Sequence, residues 1–146
     1  MRCHVAFTVP FVKGWHRARA RKVGRSIQYY SCSQDRTNKD AIRRAYECAA
    51  ANVDGPTKAP AGTPVRVAIA SDRDVLSAFR KRDGDSHPDT QKPDADNVAK
   101  LVLDALNGVA WEDDQQVNDL HIVKNDRTRG KDASMLITIE WKDEEE

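Results

Sequence analysis

Cysteine pairing is missing from this chain. Of its 146 residues only Cys3, Cys32 and Cys48 are cysteines, with no C-x-x-C pair and no even framework. They read as reduced thiols, and zinc is not expected, because His4 beside Cys3 finds no partner pair at zinc spacing. Long apolar runs are also absent, so no segment reaches the ~20 residues of a membrane helix. The early stretch VAFTVPFV is short, is interrupted by Thr8 and Pro10, and is followed by basic residues, the wrong order for a secretory signal. A cytoplasmic protein is the expectation. Aromatics are scarce at 6% and the mean hydropathy is −0.73, which describes a modest core under a charged exterior. No internal repeat appears.

Charge is plentiful, and it is divided. Residues 1–70 hold 13 Lys/Arg against 4 Asp/Glu, a balance of +9, and residues 71–146 hold 11 against 19, a balance of −8. Such a division suits a protein that grips a polyanion with one region and holds a metal ion with another. Chance clustering on a solvated surface is the plainer alternative.

The length fits a single domain over 1–146. Val5, Phe7 and Val9 alternate with Ala6 and Thr8 up to Pro10, a first strand. Residues 13–36 read as a basic, irregular arm: six Lys/Arg and no acid lie between Lys13 and Arg25, with Trp15 among them. A helix is expected from Thr37 or Asn38 to about Val53, with Ile42, Ala45, Tyr46 and Ala49 at helical spacing. Gly55 to Thr63 is a connector, and Pro64 to Ala70 alternates as a second strand. Residues 71–91 read as a mobile loop with room for a short helix near Asp74–Lys81. Val98, Leu101, Val102, Ala105 and Leu106 give the central helix its apolar face, with Asp96 expected as N-cap and Asn107-Gly108 as the stop. Val117–Val123 and Met135–Trp141 read as strands joined by a basic hairpin over Asp126–Lys131. Residues 142–146 form an acidic tail. The expected fold is α+β, a small mixed or antiparallel sheet packed with two main helices.

The stretch KPDADNVAKLVLDALNGVAWEDDQQV, from Lys92 to Val117, concentrates the chemistry. Asp94 and Asp96 stand two residues apart at a helix mouth. Lys100 and Asp104 follow at four-residue steps of about 6 Å along one face. Glu112-Asp113-Asp114 lies just past the helix end. Clustered carboxylates repel one another and resist desolvation, so a fold keeps them mainly where a cation neutralises them. A few carboxylates plus waters suit Mg²⁺, which can polarise a phosphoryl oxygen and activate water, while Lys100 neutralises charge on the phosphate. Plainer readings make Asp96 a cap and Lys100 an exposed i,i+4 partner of Asp96 or Asp104. An EF-hand is excluded, since Val98, Ala99 and Ala105 stand where its Asp/Asn, Gly and Glu belong.

The block KPDADNVAKLVLDALNG followed by WEDDQQV resembles the RusA family of Holliday junction resolvases (crossover junction endodeoxyribonucleases), which are common in prophages. The shared pattern is a basic residue, Asp-x-Asp-Asn, a Lys four residues beyond the second Asp, Asp-Ala-Leu, and Asp-Asp before Gln-Val. It covers about a fifth of the chain and is highly specific. The resemblance implies a Mg²⁺-dependent homodimer (with Mn²⁺ a possible substitute) that cuts four-way DNA junctions by paired symmetric nicks in recombination and repair. Asp94, Asp96 and Asp114 fall on the catalytic, metal-holding carboxylates and Lys100 on the catalytic lysine. Asp104 and Asp113 match recurrent acidic positions. Pro10-Phe11-Val12-Lys13-Gly14 replaces the Pro-Pro-Ser-x-Asn segment of many relatives, which bears on junction selectivity more than on catalysis.

Lys13, Arg17, Arg19, Arg21, Lys22 and Arg25 are the expected phosphate contacts, with Trp15 or Tyr29 able to stack on an unpaired base. Arg127, Arg129 and Lys131 form a second, weaker patch. Two other classes also fit the sequence: a nuclease for flaps or forks, and a non-catalytic junction binder.

Overall fold

The computed structural model describes residues 2–16, 19–30, 33–79 and 84–142. The main strands are β1 (Arg2–Val9), β4 (Val65–Asp72), β6 (Val117–Lys124) and β8 (Ser134–Lys142). The helices are α1 (Ser33–Ala51) and α2 (Ala95–Leu106). These strands form a mixed sheet in the spatial order β1-β8-β4-β6, and the two helices pack with it. This is the α+β class expected from the sequence.

Strict alternation makes the sheet two-faced. Val5, Phe7 and Val9 of β1, Val67 and Ile69 of β4, and Ile137, Ile139 and Trp141 of β8 are buried in one core with Ile42 and Tyr46 of α1. The intervening residues His4, Ala6 and Thr8 of β1 are exposed. Tyr46 meets Phe7 edge-on at 5.9 Å and donates to the Thr57 carbonyl. Burial first, then the Cys3 thiol, pushes its hydroxyl pKa up to about 12.

Three local expectations need correction. First, β6 and β8 are not a hairpin: β4 lies between them, parallel to β6 and antiparallel to β8. Parallel neighbours need a crossover, and α2 supplies it between β4 and β6. The polar connection after β6 instead places β7 (Arg127–Thr128) against β5 (Ser86–His87). Second, the basic arm is irregular only in part: residues 13–16 hold no helix or strand, but a hairpin follows. Arg19–Val23 (β2) pairs with Ser26–Tyr30 (β3), and every described side chain from Ala20 to Gln28 is exposed. Gly24 opens the two-residue turn at φ +61°, a conformation closed to residues with a Cβ unless strained. Third, α1 begins at Ser33, earlier than Thr37, because Asp35 enters its first turn as a buried residue.

Between β4 and α2, where a short helix is expected, residues 73–76 hold no helix, a turn follows at 77–78, and Phe79 is in 3₁₀ conformation; residues 80–83 lie outside the described set. A buried carboxylate ties this segment down. Asp89 accepts from Arg73 Nη2 at 2.7 Å and Nε at 2.9 Å, and from Arg127 Nε at 3.2 Å. Arg73 also donates to the Lys92 carbonyl at 3.0 Å. The acidic tail's residues 143–146 lie outside the described residues. Among the described residues, no helix is long and apolar enough to cross a membrane.

Candidate active site

Helix α2 is written by its apolar stripe: Val98, Leu101, Val102, Ala105 and Leu106 are fully buried. That burial fixes the helix's rotation and turns Asp96, Lys100 and Asp104 toward the opposite side. The cap differs from expectation. Asp94, not Asp96, holds the N-cap backbone position, and its carboxylate makes no capping bond. Asp96 lies in the first turn, where the helix dipole favours a negative charge. The helix stops at Asn107, and Gly108 follows at φ +78°.

The return path brings in Asp114. Ala110 donates to the Leu106 carbonyl at 2.9 Å, and the Trp111 side chain is fully buried. Its indole N–H donates to Asp114 Oδ1 at 2.8 Å. The neighbouring acids are committed to structure. Asp113 caps the 3₁₀ turn Asp114–Gln116 and accepts from the Gln115 amide at 3.1 Å, which holds its carboxyl below the usual range. Glu112 pairs with Lys58 at 2.9 Å. Of the acidic triplet, only Asp114 turns inward.

Asp96, Lys100, Asp104 and Asp114 line one hollow of about 630 Å³, floored by Ala99, Leu103, Leu120 and Ile122. Burial raises the Asp114 carboxyl above its ordinary value; the Trp111 bond opposes this, and the charges of Asp104 and Asp113 reinforce it. Asp94 faces the other side of the first turn. It lines a cleft of about 500 Å³ with Lys13, Trp15, His16, Arg73, Lys92 and Asn97. The structure therefore gathers three of the four expected catalytic residues and sets Asp94 at the adjoining rim. Among the described residues, no three His, Cys, Asp or Glu side chains stand close enough together to hold a metal ion. The chemistry of the hollow still suits one: its donors are hard carboxylate oxygens, and one of them belongs to a partly buried acid beside two like charges.

Lys100 does not behave as an i,i+4 salt-bridge partner. Its Nζ lies 3.6 Å from the centroid of the Trp15 ring. That contact occupies a ring face expected to stack on an unpaired base. Sequence reasoning missed Trp15 in this role, as it missed Asp89 and Trp111. The adjacency of Trp111 to the Asp-Asp pair was the only local signal for the last of these.

The expected phosphate contacts divide. Lys13 is exposed at the 500 Å³ cleft. Arg21, Lys22 and Arg25 are exposed on the β2–β3 hairpin, where Arg21 also donates to Gln28 at 3.1 Å. Arg19 starts β2, and Arg17 lies outside the described residues. Of the weaker patch, Arg127 is buried on Asp89, while Arg129 and Lys131 are exposed.

A comparison with curated proteins finds no match. The family model described as endodeoxyribonuclease RusA matches residues 10–140. The α+β class, the α2 block and that match agree, and the chain belongs to the RusA family of Holliday junction resolving endonucleases.

Proposed function

We propose that this protein resolves four-way DNA junctions in a Mg²⁺-dependent reaction, by paired symmetric nicks made as a homodimer, in DNA recombination and repair. The hollow on α2 carries the reading. Asp96, Asp104 and Asp114 line it, and none of them forms an ion pair with a described residue. A resting protein gains nothing from three uncompensated acids in one space, whereas a cation-binding one needs them.

The family block makes Asp94, Asp96 and Asp114 the proposed holders of Mg²⁺, or of Mn²⁺ in its place: Asp96 and Asp114 share the hollow, Asp94 lines the adjoining cleft, and carboxylate oxygens match a hard ion that keeps much of its own water. A divalent ion bound there supplies Lewis-acid polarisation of a phosphoryl oxygen and a more acidic water. The chain does the rest. Lys100 offsets negative charge as it builds on the phosphate. Trp111 holds Asp114 by one oxygen and leaves the other free. Lys13, Arg17, Arg19, Arg21, Lys22 and Arg25 bind flanking phosphates and release counterions. The approximate two-fold symmetry of a junction matches a closed dimer that presents one site to each of two opposing strands.

The test is a synthetic four-way junction incubated with Mg²⁺, Mn²⁺, Ca²⁺ or EDTA, with flap, fork and linear duplex substrates as controls. Paired cuts on the junction with Mg²⁺ or Mn²⁺ are expected, with binding but no turnover in Ca²⁺. Full cleavage in EDTA refutes the metal dependence, and preference for flaps or forks refutes the substrate. Mixing wild type with Asp96→Asn subunits should give heterodimers that nick one strand only. A light-scattering mass near 16.4 kDa combined with paired incision would contradict the dimer.

A further inference from the structure

We propose that Trp15 is a positioning residue for Lys100, holding its ammonium away from the acids of its own helix. The inference rests on the reading of Lys100 as the phosphate-neutralising group.

Lys100 lies one turn from both Asp96 and Asp104, the spacing at which an exposed Lys ordinarily pairs with an acid. Such a pair would neutralise a carboxylate needed for a cation and occupy the ammonium needed for phosphate. Lysine is also flexible, with rotamer entropy to lose on being fixed. In this structure the ammonium sits over the Trp15 ring, 3.6 Å from its centroid. The negative π face attracts the cation without neutralising it, and indole is the strongest of the aromatic partners. Both acids stay open, and the lysine is held in one place.

Trp15 is itself anchored from three directions. Its amide donates to the Asn97 carbonyl of α2 at 2.8 Å. Before it, Gly14 lies so close to α2 that an added Cβ would stand 2.7 Å from Pro93 Cβ and 3.2 Å from Asn97 Cβ. After it, His16 donates its amide to Asp35 Oδ2 at 2.8 Å and its ring Nδ1–H to Oδ1 at 2.6 Å. A carboxylate can only accept, so Nδ1 carries that hydrogen. The Asp35 side chain is 3% exposed. The segment is clamped to both helices, and the ring is a fixed platform rather than a loop side chain free to stack on DNA.

The experiment compares Trp15→Phe, which keeps an aromatic face, with Trp15→Leu, which keeps apolar bulk alone. Both are made in wild-type and Lys100→Ala backgrounds, with single-turnover cleavage and junction affinity read separately. Trp15→Leu should cut about tenfold more slowly with affinity within about twofold, and Trp15→Phe should recover most of that rate. In the Lys100→Ala background, Trp15→Leu should have no further effect. Equal rates for Phe and Leu, or an equal slowing in both backgrounds, or a loss confined to affinity, overturns the proposal. If Lys100→Ala cuts at the wild-type rate, the underlying reading of Lys100 fails instead. A measurement on the unmutated protein needs no variant to fold: the Lys100 ε-methylene protons should show an upfield ring-current shift. Unshifted protons overturn the proposal as well.

Discussion

Two acidic regions lie on either side of the motif's first residues, and they are built in opposite ways. Around Asp89, one buried carboxylate meets Arg73, Arg127 and, at 4.0 Å, Lys124. Burial alone would raise its pKa, but the hydrogen bonds and charge of Arg73, with those of Arg127, outweigh it and hold the carboxyl below its usual range. In the α2 hollow, Asp96, Asp104 and Asp114 share one space, and burial with like charge pushes Asp114 up. The first region has its countercharges built in, so its work is to hold the segment ending at Lys92 in place. The second shares its space with Lys100 but forms no ion pair with a described residue, and the countercharge we propose for it is a divalent cation. On the proposed reading, whether an acid is paired separates scaffold from chemistry better than whether it is buried.

The sharpest way to break this contrast is to neutralise one acid in each region. Asp114→Asn should lower junction cleavage about a thousandfold while leaving junction binding intact, measured by single-turnover assay and gel shift. Its metal-free melting temperature should not fall, because the variant removes a strained charge. Asp89→Asn should do the reverse. It leaves Arg73 and Arg127 facing a neutral amide and should cost about 3 kcal/mol, or roughly 10 °C in Tm by calorimetry. A lower Tm for Asp114→Asn than for Asp89→Asn would dissolve the distinction.

Smaller effects sharpen it. Replacing Arg21, Lys22 and Arg25 by Ala should weaken junction affinity about tenfold near physiological salt. The slope of log affinity against log salt should shrink by about 0.9 for each phosphate no longer neutralised. The cutting rate of the bound junction should stay the same. Acid titration of stability should show the least. Asp89, with its pKa depressed in the fold, contributes stability that is present above its unfolded value near 3.9 and is lost as pH falls through the lower folded value. Asp114, raised in the fold, contributes stability below its unfolded value and loses it as pH rises through the folded one. In urea melts, Asp89→Asn should therefore flatten the acid limb below about pH 4, and Asp114→Asn should flatten the slope above it.

How much of this was legible in the sequence follows from how local each cause is. The apolar stripe of α2 and the alternation of β1 and β4 are local patterns, and both kinds of element formed where their spacing placed them. The β2–β3 hairpin is also local, but its first strand, Arg-Ala-Arg-Lys-Val, carries little β propensity and so hid the two-residue Gly24-Arg25 turn. The placement of β4 between β6 and β8 is a tertiary matter that no single run of residues records. That Asp96, Lys100 and Asp104 share a side of α2 was legible from helix spacing, whereas the approach of Asp114 to them was implied only by the family block. The Asp89 bonds span 16 and 38 residues. The contact between Trp15 and Lys100 joins residues far apart in the sequence. Spacing arguments do not reach across such distances.

The most direct test of the central claim sets one acid of each region against the other on the same substrate. Asp96→Asn and Asp89→Asn would be assayed for single-turnover cleavage of a synthetic four-way junction with Mg²⁺, at a temperature where calorimetry shows both folded. The account predicts that Asp96→Asn binds the junction and does not cut it, whereas Asp89→Asn cuts within severalfold of wild type. Cutting by Asp96→Asn at the wild-type rate, or a folded Asp89→Asn that is inactive, would contradict it.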